Sequence, residues 1–164
     1  MQNIDIIIKT LKKNYKLFRK PAVTEISEEK NPFKVLISCL LSLRTRDEVT
    51  FQASVRLFKI ASTPEQILKL NTKKLEKLIY PVGFYKTKAK RIKEICKILI
   101  SNYNSKVPDS IEELLKLKGV GRKTAGIVMC YGFNKIVSFP VDSHVHQISN
   151  RLGWVKTKSP EKTE

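Results

Sequence analysis

The sequence predicts an all-α fold, a bundle of short helices, on three observations. Nearly every segment of the 164 residues repeats its apolar positions at intervals of three and four and does not alternate apolar with polar as a half-buried strand does. Helix-start signals recur along the chain: Asn31-Pro32, Thr45 with Glu48, Thr63-Pro64-Glu65-Gln66, and Ser110 with Glu113. Residues that end helices fall between them, among them Pro81, Gly83, Gly119 and Gly121.

Ile4, Ile7, Ile8 and Leu11 make the stripe of a first helix, which closes on Lys12-Lys13 and gives way to a linker from Pro21 to Asn31. Asn31 then acts as N-cap and Pro32 as first residue of a helix whose buried face is Phe33, Leu36, Ile37, Leu40 and Leu41. A capping box of Thr45 and Glu48 opens the next helix, and the Thr63 to Gln66 box the one after. Leu75, Leu78 and Ile79 mark a helix that stops before Pro81 and Gly83, and Ala89, Ile92, Cys96 and Leu99 mark a longer one. Ser110 and Glu113 box the start of a helix from Ile111 to Leu117, and another runs from Arg122 to about Tyr131. Ile136 to Phe139 is a brief extended link before Pro140, and the final helix begins near Asp142 and ends at Gly153. No internal repeat or low-complexity tract interrupts this order.

A chain of this length buries one sizeable core, or a core with part of a second lobe. Thirty-two Lys and Arg against fifteen Asp and Glu give a formal charge of +17, which calls for a polyanionic partner. Acidic lipid is the weaker candidate, because the basic residues are spread over many short helices and not gathered beside an apolar anchor. No stretch reaches the roughly 20 apolar residues of a membrane span, and the start lacks the basic-then-apolar order of a secretory signal, so a cytoplasmic protein with no membrane partner is expected. Cys39, Cys96 and Cys130 are odd in number, far apart and set in helical patterns, which points to buried reduced thiols and to no metal site. His144 and His146, two apart on a helix, face different ways and do not make a metal pair.

The most informative segment is Leu117-Lys118-Gly119-Val120-Gly121-Arg122-Lys123-Thr124-Ala125. Gly119 and Gly121 lack the Cβ that would bar positive φ and would keep a DNA strand from the backbone. The turn and the first amides of the following helix then point at one spot and suit a phosphate oxygen. Nineteen residues after Lys123, Asp142 stands in Val141-Asp142-Ser143-His144. The string resembles the helix-hairpin-helix signature of the endonuclease III branch of DNA glycosylases. Leu40 to Asp47, Val82 to Ala89 and Asn150-Arg151-Leu152 resemble further blocks of that family in the family's order, so the resemblance covers nearly all of the chain.

The resemblance implies a fold and a function. The bundle, residues 25–135, would contain a helix-hairpin-helix DNA-binding motif, with residues 1–24 and 136–164 forming a partial second helical lobe. Lys123 and Asp142 would then come from opposite walls of one cleft. The implied activity is that of a DNA glycosylase with apurinic/apyrimidinic lyase activity in base excision repair, acting on oxidised pyrimidines. An amine can displace the base at C1′ and open the sugar to a Schiff base, which permits loss of the 3′ phosphate. By resemblance Lys123 is that nucleophile and Asp142 the essential carboxylate; their plain readings are a solvated phosphate-binding lysine and an N-cap. DNA contacts fall on Gly119, Val120, Gly121, Arg122, Thr124 and His144. Base removal from a duplex needs the nucleotide flipped out and the gap filled. Phe84 and Arg44 sit where the family places its apolar and polar wedges, although Phe84 equally suits a hydrophobic staple and Arg44 a solvated basic residue.

Three departures from the family matter. Lys118 replaces a usual proline in the hairpin, Gln147 replaces a usual basic residue, and the chain stops at Glu164, before the four cysteines that bind a [4Fe-4S] cluster in most members. The expectation is therefore no cofactor encoded here, and either a fragment or a chain whose second lobe is incomplete. The expected partner is double-stranded DNA carrying a damaged base or abasic site, bound by a monomer if the chain is complete, in a nucleoid-associated location. Two other readings stay open: a relative that removes adenine or mismatched thymine or uracil, and a non-catalytic helix-hairpin-helix module. In the former, the lysine position commonly holds another residue, so Lys123 favours lyase chemistry.

Overall fold

The computed structural model describes residues 4–18 and 20–164. All regular structure among them is helical, in two compact units: Pro21–Val137, and Met1–Lys20 with Ser138–Glu164.

The first unit is built around α3 (Pro32–Ser42). Asn31 Oδ1 accepts from the amides of Phe33 at 3.0 Å and Lys34 at 3.2 Å, and Pro32 occupies the first turn, so the helix starts where the sequence places it. Phe33 and every residue from Val35 to Leu41 are buried. A helix apolar all round is a core helix, and α3 packs against α2 (Ala22–Ser27), α4 (Asp47–Ile60), α7 (Tyr85–Tyr103) and α9 (Arg122–Ile127). Between them lie α5 (Pro64–Lys69) and α6 (Thr72–Ile79), and α8 (Ile111–Lys116) precedes α9. Leu36, Ile37, Leu57, Ile92, Ile95 and Leu99 are wholly buried, each worth about 1.5–3 kcal/mol against exposure.

Several expectations are corrected. The linker from Pro21 to Asn31 contains α2, whose Ala22 and Ile26, one turn apart, are buried. Six residues do not hold a helix alone, so this one exists by packing on α3 and α4. Thr45 and Glu48 form no capping box: α4 has Arg46 at its N-cap without a side-chain cap, and the Thr45 hydroxyl is engaged by Gly83 and Lys88. Thr63 does accept from the Gln66 amide at 3.3 Å, but Gln66 Oε1 returns to the amide of Ser62 at 2.7 Å. Ser110 Oγ accepts from the Glu113 amide at 3.2 Å, while the Glu113 carboxylate turns to Tyr103 and Lys116. The helix opened at Arg122 changes at Val128 into a π turn, Val128–Gly132, where a Cβ on Gly132 would lie 2.9 Å from Pro32 Cα. The link expected from Ile136 to Phe139 is not among these corrections: residues 134–142 carry no helix or strand, and Ile136 is 86% exposed.

In the second unit α1 (Ile4–Asn14) buries no residue, and Ile4, Ile6, Ile8 and Leu11 are exposed. The helix near Asp142 is α10 (Ser143–Arg151), and it is not the last, because α11 (Pro160–Thr163) follows. Asn150 ties the tail back: its Nδ2 donates to His146 O at 2.9 Å, and its Oδ1 accepts from the Thr157 amide at 3.0 Å. His146 Nδ1 meets Thr163 Oγ1 at 2.6 Å. Among the described residues no helix is long and apolar enough to cross a membrane.

Candidate functional site

The hairpin joins α8 to α9 through a tight turn. The Val120 amide donates to Leu117 O at 2.9 Å, and Gly119, third residue of that turn, has φ +90, a conformation that favours glycine. Leu117 and Val120 are buried and pin the turn to the core. Arg91 of α7 lies beneath it, its Nη1 3.0 Å from where a Gly119 Cβ would be. Gly121 differs from the expectation of positive φ: its φ is −97, and a Cβ there would meet nothing within 4 Å. The fold therefore places no demand on Gly121, and the space in front of it is open to a ligand's backbone. Arg122 and Lys123 on the first turn of α9 are exposed, whereas Thr124 is buried and faces the core. The Val120 amide is spent on the turn, so Val120 and Thr124 offer the surface little beyond the shape of the main chain.

Behind Lys123 stands α3. Burial pushes the Cys39 thiol up to about 12, against a smaller opposing pull from the Lys123 charge. Cys39 and Cys96 are buried and Cys130 is half-buried. Among the described residues no group of three His, Cys, Asp or Glu side chains is placed to hold a metal ion.

Arg44 and Phe84 come together. Both have left-handed backbone, φ 53 and 57, and the Arg44 guanidinium carbon lies 5.1 Å from the Phe84 ring centroid. Phe84 is 61% exposed at the N-cap of α7, so it is no staple buried against the following helix. A cavity of about 200 Å³ runs between these two residues and Gly119, floored by Leu40 and walled by Lys88 and Arg91. Lys88 is a site residue that the sequence motifs do not single out. Partial burial pulls its ammonium down to about 8, and acceptance by Leu41 O, Leu43 O and Thr45 Oγ1 favours the charged form. Its signal in the sequence is a lysine four residues before Ile92, on the buried stripe of α7.

In the other unit Asp142 is the N-cap of α10, with Oδ1 accepting from the amides of His144 at 3.0 Å and Val145 at 2.9 Å. That geometry fixes the carboxylate's direction and leaves His144 exposed on the first turn.

Comparison with known proteins agrees with this architecture. Residues 37–164 match the family model described as HhH-GPD superfamily base excision DNA repair protein. Endonuclease III of Thermotoga maritima is 56% identical over 137 residues, 84% of this chain and 64% of the relative. Endonuclease III-like protein 1 of Gallus gallus is 44% identical over 133 residues, 80% of this chain and 47% of the relative. The chain thus spans less than two thirds of the length of these two relatives. A solved structure described as a non-covalent Endonuclease III-DNA complex superposes with a TM-score of 0.79 at 32% identity, covering 100% of this chain and 76% of that one. A hairpin turned on Gly119 and followed at once by Lys123, within a helical fold that these relatives share, places the protein: the chain belongs to the HhH-GPD superfamily of base excision DNA repair proteins, on its endonuclease III branch.

Proposed function

We propose that the chain acts on double-stranded DNA as a DNA glycosylase with apurinic/apyrimidinic lyase activity, removing oxidised pyrimidines in base excision repair, in a cytoplasmic, nucleoid-associated setting. The observation that carries this reading is Lys123, exposed one residue into the helix that follows the hairpin, beside a glycine before which the space is empty. A phosphate held against the Gly119–Gly121 turn brings the sugar of a flipped nucleotide within reach of an amine on the first turn of α9.

Lys123 Nζ, having lost a proton, forms a bond to C1′ as the C1′–N bond to the base breaks; the base leaves with the bonding pair and takes up a proton. The adduct's ring C1′–O4′ bond opens to an imine between Nζ and C1′. Loss of a C2′ proton then expels the 3′ phosphate, and hydrolysis of the imine restores the lysine. Asp142 is assigned the essential carboxylate role of the family, stabilising positive charge as it develops at the sugar. Arg122 and the Gly119 and Gly121 backbone hold phosphate, His144 adds a contact, and Phe84 with Arg44 fills the gap in the stack.

The test is incubation with duplexes that each carry one lesion, an oxidised pyrimidine, a mismatched adenine or thymine, or an abasic site, scored for base release and strand cleavage. Cleavage of the oxidised-pyrimidine duplex ahead of the mismatched ones is expected. Base release without cleavage would favour the mismatch-directed relatives, and binding with neither would leave a DNA-binding module.

A further inference from the structure

Arg44 and Phe84 sit at φ 53 and 57, backbone that an L side chain keeps only where its surroundings over-determine it. Two such residues facing one another from the ends of different helices need a common constraint. Their own side-chain contact does not supply one, because both are exposed and the guanidinium meets the ring in solvent. Lys88 supplies it. Its ammonium donates to Leu41 O at 2.8 Å, to Leu43 O, and to Thr45 Oγ1 at 3.1 Å, so each of its three protons has an acceptor. Thr45 Oγ1 donates in turn to Leu43 O at 3.3 Å and accepts from the Gly83 amide at 3.1 Å, which engages the whole hydroxyl. A Cβ on Gly83 would lie 2.6 Å from Arg44 O, so the two loops meet main chain to main chain. The end of α3, the Arg44 turn and the Phe84 loop are thereby joined at one point.

We propose that Lys88 and Thr45 are positioning residues that fix Arg44 and Phe84 as one preassembled two-residue wedge. The inference rests on the proposed action on duplex DNA: a wedge ordered before contact loses less conformational freedom on entering the gap left by a flipped nucleotide. A lysine suits the joint because its compact ammonium aims donors at three oxygens around a point, which a planar guanidinium does not.

The variants Lys88→Met, Thr45→Val and Thr45→Ser test it with two readouts. In amide hydrogen exchange of the free protein, Gly83 is expected to exchange about 10-fold faster in Lys88→Met and Thr45→Val, with Ile95 and Leu99 of α7 as slow as in the wild type. On DNA, the same two variants should act about 10-fold or more slowly on a lesion in a duplex while staying within about twofold on that lesion in a single strand. Thr45→Ser, which keeps the hydroxyl, should match the wild type in both. Unchanged Gly83 exchange overturns the joint, and equal losses on duplex and single strand overturn its role in the wedge. A variant that also loses protection at Ile95 and Leu99 is unfolded, and Thr45→Val, which removes fewer bonds, then decides. If the wild type acts on neither DNA, the proposed function fails while Gly83 exchange still reports on the joint.

Discussion

At the residue scale the two hairpin glycines look alike in sequence and differ in what the fold asks of them. Gly119 needs its positive φ, so Gly119→Ala should destabilise the protein by about 1–2 kcal/mol in chemical denaturation. Gly121→Ala should cost less than about 1 kcal/mol, because its backbone suits any residue and a Cβ meets open space. Both should weaken DNA binding, Gly121→Ala without the stability loss; equal destabilisation would contradict the assignment of the turn. The buried thiols give a pH dependence. Unfolded, Cys39 ionises near its ordinary 9.0, whereas in the fold burial holds its proton to about 12, and Cys96 behaves likewise. Between those values the folded state binds more protons, so the contribution is complete below about 9 and is lost as pH rises, at up to about 1.4 kcal/mol per pH unit for each thiol. Lys88, lowered from 10.5 to about 8, acts in the opposite sense over that range, so slopes must be compared. Stability measured from pH about 9 to about 11 should fall less steeply in Cys39→Ala than in the wild type, and an unchanged slope would contradict the burial argument.

At the element scale, what could be read in the sequence was whatever is capped locally. Asn31-Pro32, Thr63 and Ser110 each start a helix where their side chains predict it, since the donor and acceptor are two or three residues apart. Asn31 caps the helix on which α2, α4, α7 and α9 pack, so Asn31→Ala should cost about 1 kcal/mol of global stability, with Asn31→Asp recovering most of it in denaturant titration. A loss confined to local exchange at Phe33 and Lys34 would show that the cap serves only its own turn. Elements that packing alone sustains were missed. The helix Ala22–Ser27 is too short to announce itself by period, and Pro160–Thr163 forms beside a polar knot of Asn150, Thr157 and Thr163 that no local pattern encodes. The Thr45–Glu48 spacing was a false signal for a physical reason: Gly83 and Lys88, far along the chain, take the hydroxyl that the box required.

At the scale of the molecule, the all-helical class and the hairpin were legible, because glycine, basic pair and turn lie within nine consecutive residues. The joint between the Arg44 turn and the Phe84 loop was not, since it depends on residues 43 apart that only the fold brings together. The charge of +17 adds its own expectation: affinity for undamaged duplex should fall steeply as salt rises, and a salt-independent affinity would contradict binding through phosphates. Lys123 is proposed as the amine that bonds to the sugar. Borohydride reduction of the protein mixed with an abasic duplex, followed by peptide mapping of the covalent product, identifies the residue that makes this bond. The expected result is a DNA adduct on Lys123, absent in Lys123→Gln although that variant binds the duplex within a few fold of the wild type. A cross-link of undiminished yield in Lys123→Gln, or one mapped to another lysine, would contradict it.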